Sequence, residues 1–370
     1  MRVLLLHNRY RAEGGEERAV GELHALLERR GHDVVLLERT SDGVGRGRAA
    51  ASLLRGGSDP AQVAEAVRRL QAEIVHAHNV HPLFGWRALA AAREAGARTV
   101  LQLHNFRLFC AIGVAYRDGA VCHECRGANT LPGLRHRCRG SAGEAAVYAL
   151  ALHRQQPELY GHVDRFAVLS DAHGARLREL GLPPDRVETL PNFVSGFAGE
   201  SRAHLGGYAL VAGRLVEEKG FDTAIRAAAA AGVPLVVAGQ GPDEPRLRAL
   251  AGAAEVHFAG WLPAPELAEL RAGAGVVLVP SRCEEACPYA VLEALAAGVP
   301  VLASDLGGLP ELVGAGLPPD DVGAWGAALG ALWHDGGRRR ELGTRALADA
   351  RARFGEDVYH DRLLALYLSV

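Results

Sequence analysis

The chain has 370 residues and a formal net charge of −2, with 49% hydrophobic and 23% charged residues. This balance is that of a globular protein and excludes a disordered chain, and the near-neutral charge argues against binding nucleic acid through bulk electrostatics. The length favours two domains. Lysine and arginine together number 41, but Lys219 is the only lysine. A codon bias towards arginine explains why lysines are few, but not why the remaining one lies where it does.

The chain carries no sequence signal for insertion into a membrane. No apolar run reaches the roughly 18 residues that span a bilayer. The N-terminal hydrophobic stretch, Val3 to Leu6, is too short for the h-region of a signal peptide, and we therefore expect a cytoplasmic protein. Arginines near the N-terminus are compatible with peripheral contact at the inner membrane face, although neighbouring glutamates offset their charge.

The first half of the sequence alternates short buried runs with helical patterns. The predicted strands are Val3–His7, Asp33–Leu37, Ile74–His78, Arg98–His104, Arg165–Ser170 and Val187–Pro191. The predicted helices are Glu16–Arg30, Pro60–Leu70, Leu83–Ala95 and Ala172–Leu180. Strands that are apolar on both faces and separated by helices indicate a parallel sheet with covered faces.

A second series of the same kind follows a Gly- and Ser-containing linker, Asn192–Gly207. Its strands are predicted at Ala209–Ala212, Pro234–Ala238, Val256–Ala259, Gly275–Val279 and Pro300–Ala303. Its helices are predicted at Phe221–Ala231, Glu244–Ala251, Pro265–Ala272, Tyr289–Ala297 and Trp325–Trp333. We therefore expect two doubly wound α/β domains, at residues 1–192 and 208–350, with a ligand cleft between them. We expect a final helix at 351–370 that packs on the first domain.

The most informative segment runs from the fourth strand of the second series into a helix. Pro288 is a helix-start signal, so the preceding loop delivers a helix N-terminus to the carboxyl end of a strand. The free N–H groups and the dipole of a helix N-terminus favour binding of a phosphate group. Glu285 and Glu293 frame it, eight positions apart. Taken alone, the two glutamates are better explained as a helix-dipole partner and a solvated helix face than as a functional pair.

The longer pattern resembles the E-x7-E signature of retaining glycosyltransferases of family 4, which have the GT-B fold of two Rossmann-like domains. The order and spacing of the family are matched by Pro280-Ser281, Glu285, Glu293-Ala294, Gly298, Pro300-Val301, Gly307-Gly308 and Glu311. The resemblance implies that Glu285 contacts the donor sugar and that Glu293 binds ribose hydroxyls. It also implies donor contacts at the helix start, formed by Pro288, Tyr289 and Ala290.

Three further segments of the second half are similar to elements of the family. Arg214 and Lys219 match its G-R-x(4)-K-G element, and two cations on one loop can grip a diphosphate. The single lysine falls on this position, which favours the functional interpretation over a surface pair. Gly241 matches a glycine turn, although G-x-G alone is weak evidence. Trp261 and Leu262 match the segment that faces the nucleotide base, where Trp261 either stacks on the base or packs.

Weaker similarities occur in the first half. Gly14 and Gly15 lie in a glycine loop after the first strand, where backbone can approach a diphosphate or an acceptor. His104 ends a buried strand, and the family commonly has His-Asp there, with the histidine reaching the transferred sugar. Asn105 in place of the aspartate is a departure that leaves the orientation of His104 open. His78 is a weaker candidate at the end of the preceding strand.

A cysteine-rich insertion occupies residues 106–140. Its spacing, C-x11-C-x2-C-x12-C, is formed by Cys110, Cys122, Cys125 and Cys138. This spacing predicts a closed tetrahedral zinc site. Reduced or redox-active thiols are an alternative, and disulfides are disfavoured by the cytoplasmic expectation. A similar insertion occurs in a subset of family 4.

The resemblance implies a retaining, metal-independent glycosyltransferase with a nucleotide-sugar donor, UDP being the commoner base. No motif identifies the acceptor, which we expect to be a small molecule, a lipid-linked molecule or a glycan in natural-product or cell-surface biosynthesis. An epimerase of the same fold and a non-enzymatic nucleotide- or sugar-binding protein remain alternatives. A nicotinamide-dependent dehydrogenase is disfavoured because no G-x-G-x-x-G follows the first strand.

Overall fold

The computed structural model describes residues 1–10 and 14–370, which divide into two compact units. The first unit comprises Met1–Ala115, His123–Leu190 and His360–Val370. The second comprises Tyr116–Cys122 and Pro191–Tyr359. Each unit contains a parallel β-sheet with helices between its strands.

The strands up to residue 190 alternate with helices as the buried runs predict. The strands are β1 (Arg2–Arg9), β2 (Asp33–Thr40), β3 (Ile74–Ala77), β4 (Arg98–Leu103), β5 (Tyr116–Arg117), β6 (Ala120–Val121), β7 (Arg165–Val168) and β8 (Val187–Thr189). The helices are α1 (Gly15–Arg29), α2 (Arg46–Arg55), α3 (Pro60–Leu70), α4 (Gly85–Glu94), α5 (Leu131–Arg135), α6 (Ala142–Gly161) and α7 (Asp171–Leu180). The parallel sheet has the order β2-β1-β3-β4-β7-β8, and β5 and β6 form a short antiparallel hairpin.

Strand β1 is the switch point of the sheet, the strand on either side of which successive strands are added. Its residues Val3 to Leu6 have no exposed surface, because helices cover both faces. The chain goes from β1 to one neighbour, β2, and then crosses to the other neighbour, β3. Loops after such strands separate and leave a crevice, where ligands bind in open α/β sheets.

Two asparagines join the loops at this crevice. The Asn8 N–H donates to the Asn79 carbonyl at 2.8 Å, and the Asn79 side-chain amide donates to the Asn8 carbonyl at 2.7 Å. The Asn8 side-chain oxygen accepts the Leu83 N–H at 3.2 Å. Both asparagines are buried, so these bonds fix the floor of the crevice.

The second unit repeats the scheme. Its strands are β9 (Tyr208–Ala212), β10 (Leu235–Ala238), β11 (Val256–Gly260), β12 (Ala274–Val279) and β13 (Val301–Ala303). The helices from residue 191 onward are α8 (Phe221–Ala231), α9 (Glu244–Ala251), α10 (Ala264–Ala272), α11 (Tyr289–Ala296), α12 (Leu309–Val313), α13 (Val322–Trp333), α14 (Gly336–Phe354) and α15 (Glu356–Leu368). The order β11-β10-β9-β12-β13 places the switch at β9, between β10 and β12.

Three features differ from the sequence expectations. The expected linker packs as part of the second unit, since its residues Phe193 and Ser201 are buried there. The expected domain boundary at residue 351 falls inside α14, which ends at Phe354. Helices α2 and α6 were not predicted. In the described part of the chain, no helix has both the length and the apolar character required to cross a membrane.

Glycine 220 is required where helix α8 begins. Its φ is +67°, and a Cβ at this position would lie 1.9 Å from the Pro280 carbonyl oxygen. Gly232 ends the same helix with a φ of +63°, but nothing lies within 4 Å of its Cβ position. Both glycines relieve backbone strain, whereas only Gly220 also permits a close backbone approach.

We predict that Gly220→Ala destabilises the protein more than Gly232→Ala does. Both substitutions carry the left-handed strain of roughly 1–2 kcal/mol, but Gly220→Ala also displaces the loop at Pro280. We expect an excess loss of about 2 kcal/mol or more in urea unfolding. Equal losses for the two variants would contradict the close approach as the cause.

Candidate functional site

The switch point of the second unit brings Lys219 and Glu285 together. Lys219 follows β9 and Glu285 follows β12, and these strands are parallel neighbours. The Lys219 ammonium forms an ion pair with Oε1 of Glu285, and the Ser281 hydroxyl donates to the same oxygen at 2.9 Å. The sequence assigned these two residues to separate motifs, and the tertiary structure makes them partners.

Each member of this pair holds the other in its charged form. Burial opposes ionisation of Glu285, but the Lys219 ammonium and the Ser281 hydroxyl outweigh it and hold the carboxyl pKa below its usual value. Burial likewise opposes the charge of Lys219, and Glu285 reverses the effect and raises the ammonium pKa. The side chains of Lys219 and Glu285 are only 29% and 14% exposed. At neutral pH the site therefore holds a desolvated cation beside a desolvated anion.

Arg214, the other predicted cation, lies in a different environment. Its side chain is 63% exposed and lies 3.5 Å from Glu218. It is nevertheless close enough to Glu285 to contribute to the lowering of that pKa. The structure thus places Arg214 and Lys219 on one loop, with only Lys219 engaged by Glu285.

Arg282 anchors the loop that carries Glu285, a role that the sequence analysis missed. Its N–H donates to the Glu218 carbonyl at 2.8 Å, and its guanidinium donates to Asp222 at 2.7 Å and to Asp320 at 2.6 Å. Burial opposes the charge, but these two carboxylates raise the pKa of Arg282. Asp222 precedes Arg282 by 60 residues, so no local pattern could have shown the pairing.

Glycines close the neighbouring loops. A Cβ on Gly239 would lie 1.8 Å from the Gly213 carbonyl oxygen, and one on Gly241 would lie 2.2 Å from the Leu215 oxygen. Leu215 N–H in turn donates to the Gln240 carbonyl at 3.0 Å. The predicted glycine turn is therefore required by backbone packing, which holds the loop after β9 in place.

The remaining predicted donor contacts lie around α10, α11 and β11. Helix α11 begins at Tyr289 with Pro288 as its N-cap, so its first N–H groups, including that of Ala290, lie at its N-terminal end. Glu293, one turn further, is held by the guanidinium of the buried Arg271 at 2.5 Å. Trp261 is 65% exposed and thus does not pack in the core, while Leu262 is half-buried.

In the first unit, His104 belongs to a stack of histidines. Its Nε2 lies 2.9 Å from Nδ1 of His78, and the two rings stack with centroids 5.2 Å apart. His78 stacks in turn on His76, whose Nδ1 is 2.8 Å from the hydroxyl of Tyr367 on α15. This arrangement gives His78 a positioning role and leaves Nδ1 as the nitrogen of His104 that His78 does not engage.

Burial keeps these histidines neutral. It lowers the pKa of His104 and of His76 to about 3, and with help from its histidine neighbours it lowers the pKa of His78 well below its usual value. Neutral imidazoles can orient a hydroxyl group, but they are weak proton acceptors at such a pKa.

The glycine loop of the first unit is only partly described, because residues 11–13 lie outside the described residues. Gly14 is the N-cap of α1, and its N–H donates to Glu17 at 2.9 Å; Gly15 is exposed. The pKa of Glu17 falls to about 2, because the nearby His7 ring and the hydrogen bond from the Tyr10 N–H outweigh burial. Glutamate 17 therefore supports the loop.

The four cysteines of the insertion are the zinc ligands expected from the sequence. Among the described residues, no group of three or more His, Cys, Asp or Glu side chains is placed to hold a metal ion. Zinc at Cys110, Cys122, Cys125 and Cys138 therefore stays a prediction from their spacing. No disulfide is recorded among the six cysteines, all of which are described.

Comparisons with known proteins identify the class to which this fold and site belong. A model described as Glycosyltransferase Family 4 matches residues 13–195, and one described as Glycosyl transferases group 1 matches residues 207–335. The structure of Anabaena HepE in complex with UDP has a TM-score of 0.68 and 16% identity, with full coverage of both chains. The fold is that of the GT-B glycosyltransferases.

Two curated relatives differ in how much of them the chain covers. D-inositol 3-phosphate glycosyltransferase 1 of Catenulispora acidiphila is 32% identical over 332 residues, which is 80% of this chain and 72% of the relative. An exopolysaccharide phosphotransferase of Streptomyces coelicolor is 34% identical over 212 residues, which is 53% of this chain but only 22% of the relative. The chain belongs to glycosyltransferase family 4.

We predict that Lys219 and Glu285 are energetically coupled. Unfolding of Lys219→Met, Glu285→Gln and the double variant should give a coupling of roughly 1–3 kcal/mol at pH 7. Because the carboxyl pKa is lowered in the folded state, the coupling is fully present above the unfolded pKa of Glu285 and disappears as pH falls through the folded value.

The Arg214–Glu218 pair, whose arginine is 63% exposed, provides the matched control. Its coupling should be below about 1 kcal/mol, because water screens exposed charges. Additive effects of Lys219→Met and Glu285→Gln at pH 7 would contradict the coupling.

Proposed function

We propose that the chain is a retaining glycosyltransferase that moves a sugar from a UDP-sugar to an acceptor hydroxyl in natural-product or cell-surface glycan biosynthesis. The observation that carries the proposal is the pair of Lys219 and Glu285 at the switch point of the second unit. The crevice at such a point is where doubly wound sheets bind nucleotides. The complex of HepE with UDP, a protein of the same fold, supports the choice of donor.

The chemistry requires charge stabilisation on the departing diphosphate. Arg214, Lys219 and the N-terminal end of α11 supply positive charge and N–H donors where that negative charge develops. When the diphosphate engages Lys219, Glu285 is left to face the positive charge that grows on the sugar. Glu293, oriented by Arg271, would bind the ribose hydroxyls, and Trp261 would stack on the base.

Retention follows in this proposal from a same-face displacement. The acceptor oxygen approaches from the side on which the diphosphate leaves, so no covalent glycosyl-enzyme is needed. His104 would bind a hydroxyl of the transferred sugar through the nitrogen that His78 leaves available. An epimerase of the same fold is the second candidate, and NMR of a nucleotide sugar incubated without acceptor would reveal its isomerisation.

Nucleotide binding gives the first test. Thermal unfolding should shift upwards with UDP, or with GDP or TDP if the base differs, and should not respond to NAD. The stabilisation grows with ligand concentration because only the folded state binds. A shift with NAD alone would overturn the proposed function.

The role of the single lysine gives a second test. Lys219→Arg keeps the charge but replaces a point charge with a planar fork, and kcat/KM should fall by about tenfold or more. The control is Arg248→Lys on α9, an exposed charge exchange that should leave kcat/KM unchanged. Near-normal activity of Lys219→Arg would show that the position of the lysine has no bearing on catalysis.

Structural zinc remains a prediction from cysteine spacing alone. Protein purified without chelator should contain about one zinc per chain, and less than about 0.2 would exclude the site. Cys122→Ser with Cys125→Ser should lower the folding yield or acceptor use but leave the thermal shift with UDP intact. Loss of that shift in a folded variant would contradict a role confined to the insertion.

A further inference from the structure

A small polar pocket lies in the first unit, at the carboxyl ends of its strands. Its polar lining includes Tyr10 after β1, His104, Asn105 and Arg107 after β4, and Glu16 on the first turn of α1. Glu16 directly follows the glycine pair of the loop after β1, and the sequence analysis assigned it no role. It is the acidic residue of this lining, and it is only 9% exposed.

The carboxyl group of Glu16 is held in one orientation. The Asn105 side-chain amide donates to its Oε2 at 3.1 Å and lies 3.3 Å from the Tyr10 hydroxyl. The Asn105 side-chain oxygen accepts the Arg107 N–H at 2.9 Å, which fixes the amide so that its NH2 points to Glu16. The Glu16 carboxyl group therefore lines the pocket and is supported from the loop after β4.

The hydrogen bond from Asn105 to Glu16 gives a reason why asparagine replaces the aspartate of the family's His-Asp pattern. An aspartate here would set a second carboxylate against Glu16 at the distance now bridged by an amide hydrogen bond. Two carboxylates at that separation do not both ionise near neutral pH. Because residue 105 is an asparagine, it adds no second carboxylate that would raise the pKa of Glu16.

Burial and the groups around Glu16 bring the pKa of its carboxyl group close to neutral pH. Burial, the largest effect, raises its pKa to about 7. Glu17 on the same helix adds to the rise, while His7 on β1, the Tyr10 hydroxyl and Arg107 oppose it. A proton acceptor works best when its pKa lies near the working pH, and His104, with a pKa of about 3, lies far from it.

We propose that Glu16 accepts the proton of the acceptor hydroxyl during glycosyl transfer. This inference rests on the proposed function. The acceptor oxygen forms a bond to the anomeric carbon, and the bond from that carbon to the diphosphate oxygen breaks. Its electron pair leaves with the nucleoside diphosphate, and the hydroxyl proton moves to the Glu16 carboxylate and then to solvent. His104 orients a hydroxyl without taking its proton.

The test uses nucleotide release from a panel of UDP-, GDP- and TDP-sugars, with water as acceptor, followed between pH 5.5 and 8.5. The wild-type rate should rise with pH, with a midpoint near 7, because only ionised Glu16 accepts a proton. Glu16→Gln should lower the rate by about 10²-fold or more and remove the rise. Asn105→Asp should move the midpoint to higher pH, because a second carboxylate raises the Glu16 pKa.

Glu28→Gln is the matched control, since it makes the same substitution at an exposed position on the same helix. It should preserve both the rate and the pH profile. A merely structural role for Glu16 would lower the unfolding temperature of Glu16→Gln but leave the midpoint unchanged.

The outcomes separate the two proposals. Nucleotide release by Glu16→Gln with the wild-type pH profile would overturn the role of Glu16 and leave the proposed function standing. No release from any donor by the wild type, together with no thermal shift with UDP, GDP or TDP, would overturn the proposed function and this inference with it.

Discussion

Parallel pairing of buried strands is the constraint on which both sites depend. Hydrogen bonds of the sheet hold neighbouring strands side by side, so the loops that leave their carboxyl ends must emerge at one edge. At β9 this places the loop of Lys219 beside the loop of Glu285, 66 residues further along the chain. At β1 it places Asn8 against Asn79 and sets Glu16 beside the residues that follow β4.

The two sites use opposite electrostatic arrangements on this shared frame. The second unit holds Lys219, Glu285, Arg282 and Asp222 as buried pairs whose members keep one another charged. The first unit keeps its buried histidines neutral, and burial there raises the pKa of Glu16 to about 7. A site for a charged diphosphate benefits from the former arrangement, and a site that moves a proton benefits from the latter.

Much of the fold could be predicted because its signal is local. A run such as Val3 to Leu6 indicates a strand buried on both faces, and Pro288 marks the start of a helix next to it. The segments that were missed have no such signal. Helix α6 follows the cysteine insertion and was not predicted. Phe193 and Ser201 of the expected linker are buried against Tyr359 and Gly298, which are distant in sequence.

The sequence by itself determined two Rossmann-like halves, the loops that carry the family motifs, and the identity of Lys219, Glu285, Glu293 and His104 as candidates. Only the tertiary structure decided which side chains act on one another. Arg271 orients Glu293 from 22 positions away, and Asn105 holds Glu16 across 89 positions. The physical reason is that motif spacing records local geometry, whereas desolvation and charge pairing depend on neighbours brought together by the sheet. The lone lysine is an ion-pair partner only because β12 lies beside β9.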